Sequence, residues 1–291
     1  MGVPMFYAYE RLICSDTKPD PIYYRVRLLD DELTGHLERE AELEGDGFVL
    51  TYEGDENNIL ARIIASSVQI NFVVNNQEDE DWINVLAEFQ ENRFYVEISA
   101  GPNLNSLSPY WYGVITQDLI RYEDMRLGCF PYTVELYAID GLTRLKERTG
   151  PRTPVGAINP DMVETIITIL NAAAPTDMWD QLDPFFAHNV KWFEENMQLT
   201  SNGFTPVDPL MFMRSTNAML FIIPDTSDTG YTTITWWNVL DTILESYGAR
   251  LLQYNGTYHM MQVEQYDEVF FNTTRTFGYF TKEYFSQNPP E

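Results

Sequence analysis

Residues 236–266 read WWNVLDTILESYGARLLQYNGTYHMMQVEQY, and three backbone signals follow one another there without a break. Trp236, Val239, Leu240, Ile243, Leu244 and Tyr247 fall at the spacing of one helix face. Thr235 precedes them as an N-cap, and Gly248 stands where a residue of positive φ would stop the helix. ARLLQY (249–254) and TYHMMQVEQY (257–266) then flank Asn255-Gly256, the dipeptide best suited to a two-residue type I′ turn, because both central positions need positive φ. The stretch predicts a helix packed on a β-hairpin. It also carries His259, with Glu245, Glu264 and Asp267 nearby, so the rest of the chain has to decide whether the unit is architectural or catalytic.

Upstream, from Pro21 to Lys146, strand signals dominate: short β-branched and aromatic runs separated by Gly, Asp and Asn. In YYRVRLLDD (23–31), Tyr24, Val26 and Leu28 alternate with Tyr23, Arg25 and Arg27, a period of two. EAELEG (40–45) and FVLTYEG (48–54) read as two strands across the turn Gly45-Asp46-Gly47. SSVQINFVV (66–74), RFYVEISAG (93–101), YWYGVITQDLI (110–120) and YTVELYAIDG (132–141) bring the total to roughly seven strands joined by short polar connections. One helix interrupts them: EDEDWINVLAEF (78–89) has Trp82, Val85, Leu86 and Phe89 at helical spacing, with acids in its first turn favoured by the macrodipole. The fold class expected is α+β, beginning with a mainly antiparallel β-barrel or sandwich.

GPRTPVGAINP (150–160) marks a boundary, and Asn159-Pro160 can open a helix over DMVETIITILNAAA (161–174) that Pro175 ends. TDMWDQLDPFFAHNVKWFEENM (176–197) reads as helical or irregular, SNGFTPVDPLMFMRSTNAM (201–219) as loop or short strand, and LFIIPDTSDTG (220–230) as a strand running into a turn. The expected domains are an N-terminal arm at 1–20, the β-domain at 21–150, and an α+β docking domain at 151–291. The last holds helices at about 160–198 and the helix-hairpin at 235–267.

Composition narrows the function. In 291 residues, 44% are apolar and 14% aromatic, ample for buried cores. With 44 acidic and 18 basic residues the formal charge is -26, which repels a phosphate backbone and argues against stable nucleic-acid binding. Cys14 and Cys129 make no disulfide framework. No apolar run reaches the roughly 18 residues of a membrane span, and the first residues lack the pattern of a signal peptide, so synthesis and retention in a cytoplasm are expected.

A catalytic set is hard to assemble. There is no G-x-S-x-G, no H-E-x-x-H and no C-x-x-C, and the three histidines, His36, His188 and His259, stand apart. Glu78, Asp79, Glu80 and Asp81 cluster, as do Asp225 and Asp228 beside Gly230, but neither follows the spaced calcium loop, and a solvated face or helix N-terminus explains them. No phosphate-binding glycine loop is present. Glu97, Asp118, Glu135 and Asp140 lie on or beside strands and leave open a paired-carboxylate glycosidase or glycan-binding module, although acids alternating with apolar residues also describe the wet face of a half-buried strand. His259 reads as a half-buried strand residue, and Trp236 and Trp237 as core. No cofactor and no metal is expected.

The succession FYVEISAG, YWYGVITQDLI and PYTVELYAIDGLTRLKE resembles tail baseplate proteins of tailed bacteriophages, particularly the hub-like proteins of phages infecting Bacteroidetes-type hosts. The carrying residues are Trp111 and Gly113, then Asp140, Gly141 and Leu142 followed by Leu145 and Lys146, with the 236–266 unit placed as that family places its helix and hairpin. The resemblance spans residues 20 to 268 and rests on order and spacing. It implies a non-enzymatic structural protein of the virion tail tip, a hub or adaptor ring with a β-domain of tail-tube type. Copies of itself would be its first partners, as a trimer ahead of a hexamer, and tube, distal-tail ring and spike or fibre proteins the others, with Trp111, Gly113, Asp140, Gly141, Leu142, Trp236, Trp237, Gly248, Asn255 and Gly256 as structural or interface residues.

Overall fold

The structure, a computed structural model, describes residues 6–15, 21–30, 39–53, 61–88, 93–117, 120–122, 129–149, 161–173, 186–188, 190, 200–201, 205–206, 210, 213, 222–224, 231–262 and 277–280. Among them the chain is α+β, mostly β-sheet with three α-helices, and the sheet is mixed. Two compact units divide it: 1–53, 65–141 and 253–256 form the first, and 54–64, 142–252 and 257–291 the second.

The first unit holds β1 (Phe6–Ser15), β2 (Ile22–Asp30), β3 (Arg39–Glu40), β4 (Leu43–Glu53), most of β5 (Ile63–Val74), α1 (Gln77–Glu88), β6 (Phe94–Gly101), β7 (Ser108–Ile115), β8 (Arg121–Tyr122) and β9 (Tyr132–Ile139). Strand neighbours run β4-β5-β9-β7-β6-β2-β1-β3, with β8 beside β9. Every pairing is antiparallel except β1 with β3. The alternation in the sequence does the sorting. Val68, Ile70, Phe72 and Val74 of β5 turn inward with Val134, Leu136 and Ala138 of β9, Val96 and Ile98 of β6, and Val26 and Leu28 of β2, and Ile83 and Leu86 of α1 join the same core.

Of the barrel or sandwich expected from the strand count, the closed barrel is not formed among the described residues, where no ladder joins β1 to β4. Residues 39–43 instead run between β1 and β5: the Ala41 N–H donates to Glu10 O (2.9 Å) on β1, and the Val73 N–H of β5 donates to Glu42 O (2.8 Å). Nor do EAELEG and FVLTYEG make a hairpin. Leu43–Gly45 of the first and Phe48–Glu53 of the second lie along β5 in the single strand β4, with a register break between Leu43 and Phe48, while Glu40 sits in β3 beside β1. Gly45 (φ 67) and Gly47 (φ 85) absorb the extra residues as a bulge. A Cβ on Gly47 would stand 2.2 Å from Ile13 Cδ1. The segment expected as an arm supplies β1, antiparallel to β2 from Phe6 to Ser15.

The second unit opens with a 3-10 helix (Leu142–Lys146) and holds α2 (Met162–Ala173), β10 (Phe186–His188), β11 (Thr200–Ser201), β12 (Thr205–Pro206), β13 (Ile222–Pro224), β14 (Tyr231–Thr233), α3 (Trp236–Ser246), β15 (Ala249–Tyr254), β16 (Thr257–Gln262) and β17 (Phe277–Phe280). Its strands run β17-β10-β16-β15, and β15 continues onto the first residues of β5, with Leu251 beside Ile63 and Leu252 beside Ile64 in parallel. Part of the region expected as helix at 160–198 is therefore strand. Phe186–His188 is a buried β10 parallel to β16, and its run of Phe, Ala and His is short enough to be claimed by a neighbouring edge. α2 spans 162–173, as its apolar stripe predicts, and Asp161 caps it through Oδ1, which accepts from the Glu164 N–H (2.7 Å).

The helix-hairpin forms as its signals require. Thr235 Oγ1 accepts from the Asn238 N–H (3.3 Å), Gly248 takes φ 57, and Asn255 (φ 48) with Gly256 (φ 71) makes the turn. The division of the chain assigns the tip, 253–256, to the first unit.

Candidate functional site

Trp111, Gly113, Asp140 and Gly141, four of the residues that carry the resemblance, come together in one buried lock in the first unit, whereas Leu142, Leu145 and Lys146 belong to the second. β5 and β9 pair from Val74 with Tyr132 to Ser67 with Ile139, and the ladder is then prolonged through Ser66 and Asp140. The Asp140 N–H donates to Ser66 O (3.0 Å), while Asp140 Oδ2 accepts from the Ser66 N–H (2.7 Å) and from Ser66 Oγ (2.8 Å). Ser66 Oγ in turn accepts from Trp111 Nε1 (2.9 Å). Asp140 and Trp111 are both fully buried, and burial without partners would cost each several kcal/mol, roughly 1–3 for every unmade hydrogen bond. The indole folds over Gly113, where a Cβ would come within 2.1 Å of Trp111 Cη2 and 2.6 Å of Ile139 O. Gly141 then takes φ 87, a turn that an L side chain resists, and ends the lock. Leu142, buried, is the first residue of the 3-10 helix.

A second construction lies on β7. This strand pairs with β9 only at Val114 with Ile139 and Ile115 with Ala138, so its edge further back needs other partners. Gln253 supplies them: its Oε1 accepts from the Tyr112 N–H (3.0 Å), and its Nε2 donates to Tyr112 O (3.0 Å). A side-chain amide thus takes the place of a peptide group in the sheet. Gly256 adds a third contact, its N–H donating to Tyr110 O (2.9 Å), and a Cβ there would stand 2.7 Å from Pro109 Cβ. Tyr52 OH donates to the Gln253 carbonyl (3.2 Å).

Asp79 and Glu80 of the cluster weighed for calcium, and Glu97 and Glu135 of the carboxylates weighed for catalysis, each have protein partners. At the start of α1, Asn76 Oδ1 accepts from the Glu78 and Asp79 N–H groups (3.0 Å each), a capping arrangement. Asp79, buried, accepts from Tyr9 OH (2.8 Å) and the Asn75 N–H (3.0 Å). Glu80, buried, accepts from Tyr132 OH (3.1 Å) and Gln77 Nε2 (2.8 Å). Burial foremost, then the hydrogen bond to Asp79, pushes the Tyr9 phenol up, so it stays a donor. Glu97 lies within 3.6 Å of Arg27 and 3.9 Å of Arg25 and accepts from Ser99 Oγ (2.9 Å). Burial first and Glu97 second push the neighbouring Tyr112 phenol up. Glu135 accepts from Tyr137 OH (3.1 Å). No group of three or more His, Cys, Asp or Glu among the described residues is arranged to hold a metal ion.

In the second unit, Trp236 and Trp237 are half-buried rather than core. The Trp236 indole N–H donates to Thr149 O (2.9 Å), and the Lys146 ammonium lies 4.5 Å from the centre of the Trp237 ring. The stripe of α3 that is buried begins at Val239. Arg62 reaches Asp241 (3.0 Å) and Glu245 (2.8 Å), one turn apart on that helix. His188 is buried in β10 and His259 half-buried in β16. His36, Asp118, Asp225, Asp228, Gly230, Glu264 and Asp267 lie outside the described residues, as does Phe89.

Two residues that matter here were not singled out by sequence, Ser66 and Gln253, and both carried the same signal. Each is polar at a position where strand alternation demands an apolar residue: Ser66 in phase with Val68 and Ile70, Gln253 in phase with Ala249 and Leu251. Both are buried, Gln253 fully. No known family model matches the chain, and neither does any curated protein sequence. No helix among the described residues is long and apolar enough to cross a membrane, a statement that concerns helices alone.

Proposed function

We propose that this chain is a structural component of a phage tail baseplate, a hub or adaptor ring that joins the tail tube to spike or fibre components. The observation that supports the reading is the lock: Trp111 and Asp140, two residues of the resemblance, meet through Ser66, Gly113 leaves room for the indole, and all three serve the fold. The protein is on this reading not an enzyme and takes no cofactor. It assembles with itself, as a trimer ahead of a hexamer, at the tail tip of the virion, and its β-unit acts as the tail-tube-type module in the ring. A formal charge of -26 suits a channel through which DNA passes without adhering.

A glycan-processing module, the competing reading, needs two carboxylates facing a sugar. Glu97 and Glu135 are instead tied to neighbouring side chains, and Asp140 is buried in the lock. Native mass spectrometry with electron microscopy of the purified protein tests the proposal. A closed ring with a central channel is the expected result. A monomer that binds or cleaves oligosaccharides overturns it.

A further inference from the structure

The tip of the hairpin carries chemistry that the fold does not use. Asn255 is exposed at φ 48 and is followed by a glycine, the residue that least hinders attack by its own main-chain nitrogen on the preceding side-chain amide. We propose that Asn255 is a site of spontaneous deamidation, held in check by the hydrogen bond from the Gly256 N–H to Tyr110 O. For reaction, the Gly256 nitrogen gives its proton to hydroxide and attacks Asn255 Cγ. A new N–C bond forms, the bond from Cγ to Nδ2 breaks, and ammonia leaves with that electron pair after taking a proton from water. Water then opens the five-membered imide at either carbonyl, giving aspartate or isoaspartate.

Two observations make the docked tip resistant. The Gly256 N–H that must be lost is donated to Tyr110 O at 2.9 Å, and Gly256 is buried against Pro109. The turn is further pinned by Gln253, whose amide holds both polar groups of Tyr112. Reaction therefore proceeds through local opening of the tip, and its rate reports how often the tip leaves β7. The change is one-way. Isoaspartate adds a methylene to the backbone and a charge to the side group, at a turn where even a Cβ on Gly256 would stand 2.7 Å from Pro109 Cβ, so a modified tip does not reseat. The inference is independent of the reading as a tail protein.

The test is a time course in mildly alkaline buffer, with peptide mass spectrometry of the segment around Asn255 in native protein and in protein unfolded by urea. The second Asn-Gly of the sequence, Asn202-Gly203, serves as an internal reference in the unfolded sample. The expected result is that Asn255 reacts at least about tenfold more slowly in native than in unfolded protein, the ratio given by an opening cost of about 1.4 kcal/mol. In folded Gln253→Ala protein, Asn255 is expected to react faster than in the native protein. Equal rates in native and unfolded protein overturn the proposal, and so does an unchanged rate in folded Gln253→Ala. Should that variant fail to fold, the native-to-unfolded ratio decides alone.

Discussion

Acidic side chains on α1 and on α3 look alike in sequence and do opposite work. In α1, Asp79 and Glu80 are buried and accept hydrogen bonds from Tyr9 and Tyr132. In α3, Asp241 and Glu245 face outward and share Arg62, with 38% and 63% of their side chains exposed. A buried acceptor is costly to orphan, whereas a surface pair is screened and contributes roughly 0–1 kcal/mol. The difference lies in partners: phenol hydroxyls donate to the buried carboxylates, and a half-buried guanidinium pairs with the exposed ones.

The sharpest way to break this contrast is at the most buried acid. Asp140→Ala removes two acceptor contacts from Ser66 and leaves its N–H and hydroxyl in the core, so urea denaturation should show a loss of about 3 kcal/mol. A loss below about 1 kcal/mol would mean that water replaces the carboxylate. Asp79→Ala comes next, at about 2 kcal/mol by the same measurement, since it removes the acceptor of the Tyr9 O–H and of the Asn75 N–H.

The phenols give the pH dependence. Tyr9 and Tyr112 hold their protons above the ordinary value of 10.0, so their contribution to stability is complete below that pH. Above it the unfolded protein releases protons that the folded protein keeps, and stability falls as pH rises toward the folded values. Urea titrations at increasing alkaline pH should show this decline, shallower in Tyr9→Phe than in the parent; parallel slopes would remove Tyr9 from the account. Smallest of all is Asp241→Asn, expected to cost no more than about 0.5 kcal/mol and nothing measurable in high salt.

How much of this was legible can be argued residue by residue. The strands were, because Val68, Ile70 and Phe72 alternate with Ser67, Gln69 and Asn71, and so was the helix-hairpin, because caps and turn residues are local. The route of the sheet was not. Whether EAELEG and FVLTYEG fold back on each other or run along a third strand depends on β5, which only tertiary pairing supplies. β10 was missed because three residues carry no periodicity of their own. The lock was half legible: Trp111, Gly113 and Asp140 stood out by their order, while Ser66, which joins them, showed itself only as a polar residue out of pattern.

Gln253 has a consequence for how the strand finds its place. A slip of one position would bring Leu252 or Tyr254 opposite Tyr112, and neither residue can present a donor and an acceptor side by side as an amide does. The match between Gln253 and Tyr112 therefore works as a checksum on alignment, rejecting the neighbouring registers by leaving the N–H and C=O of Tyr112 unanswered.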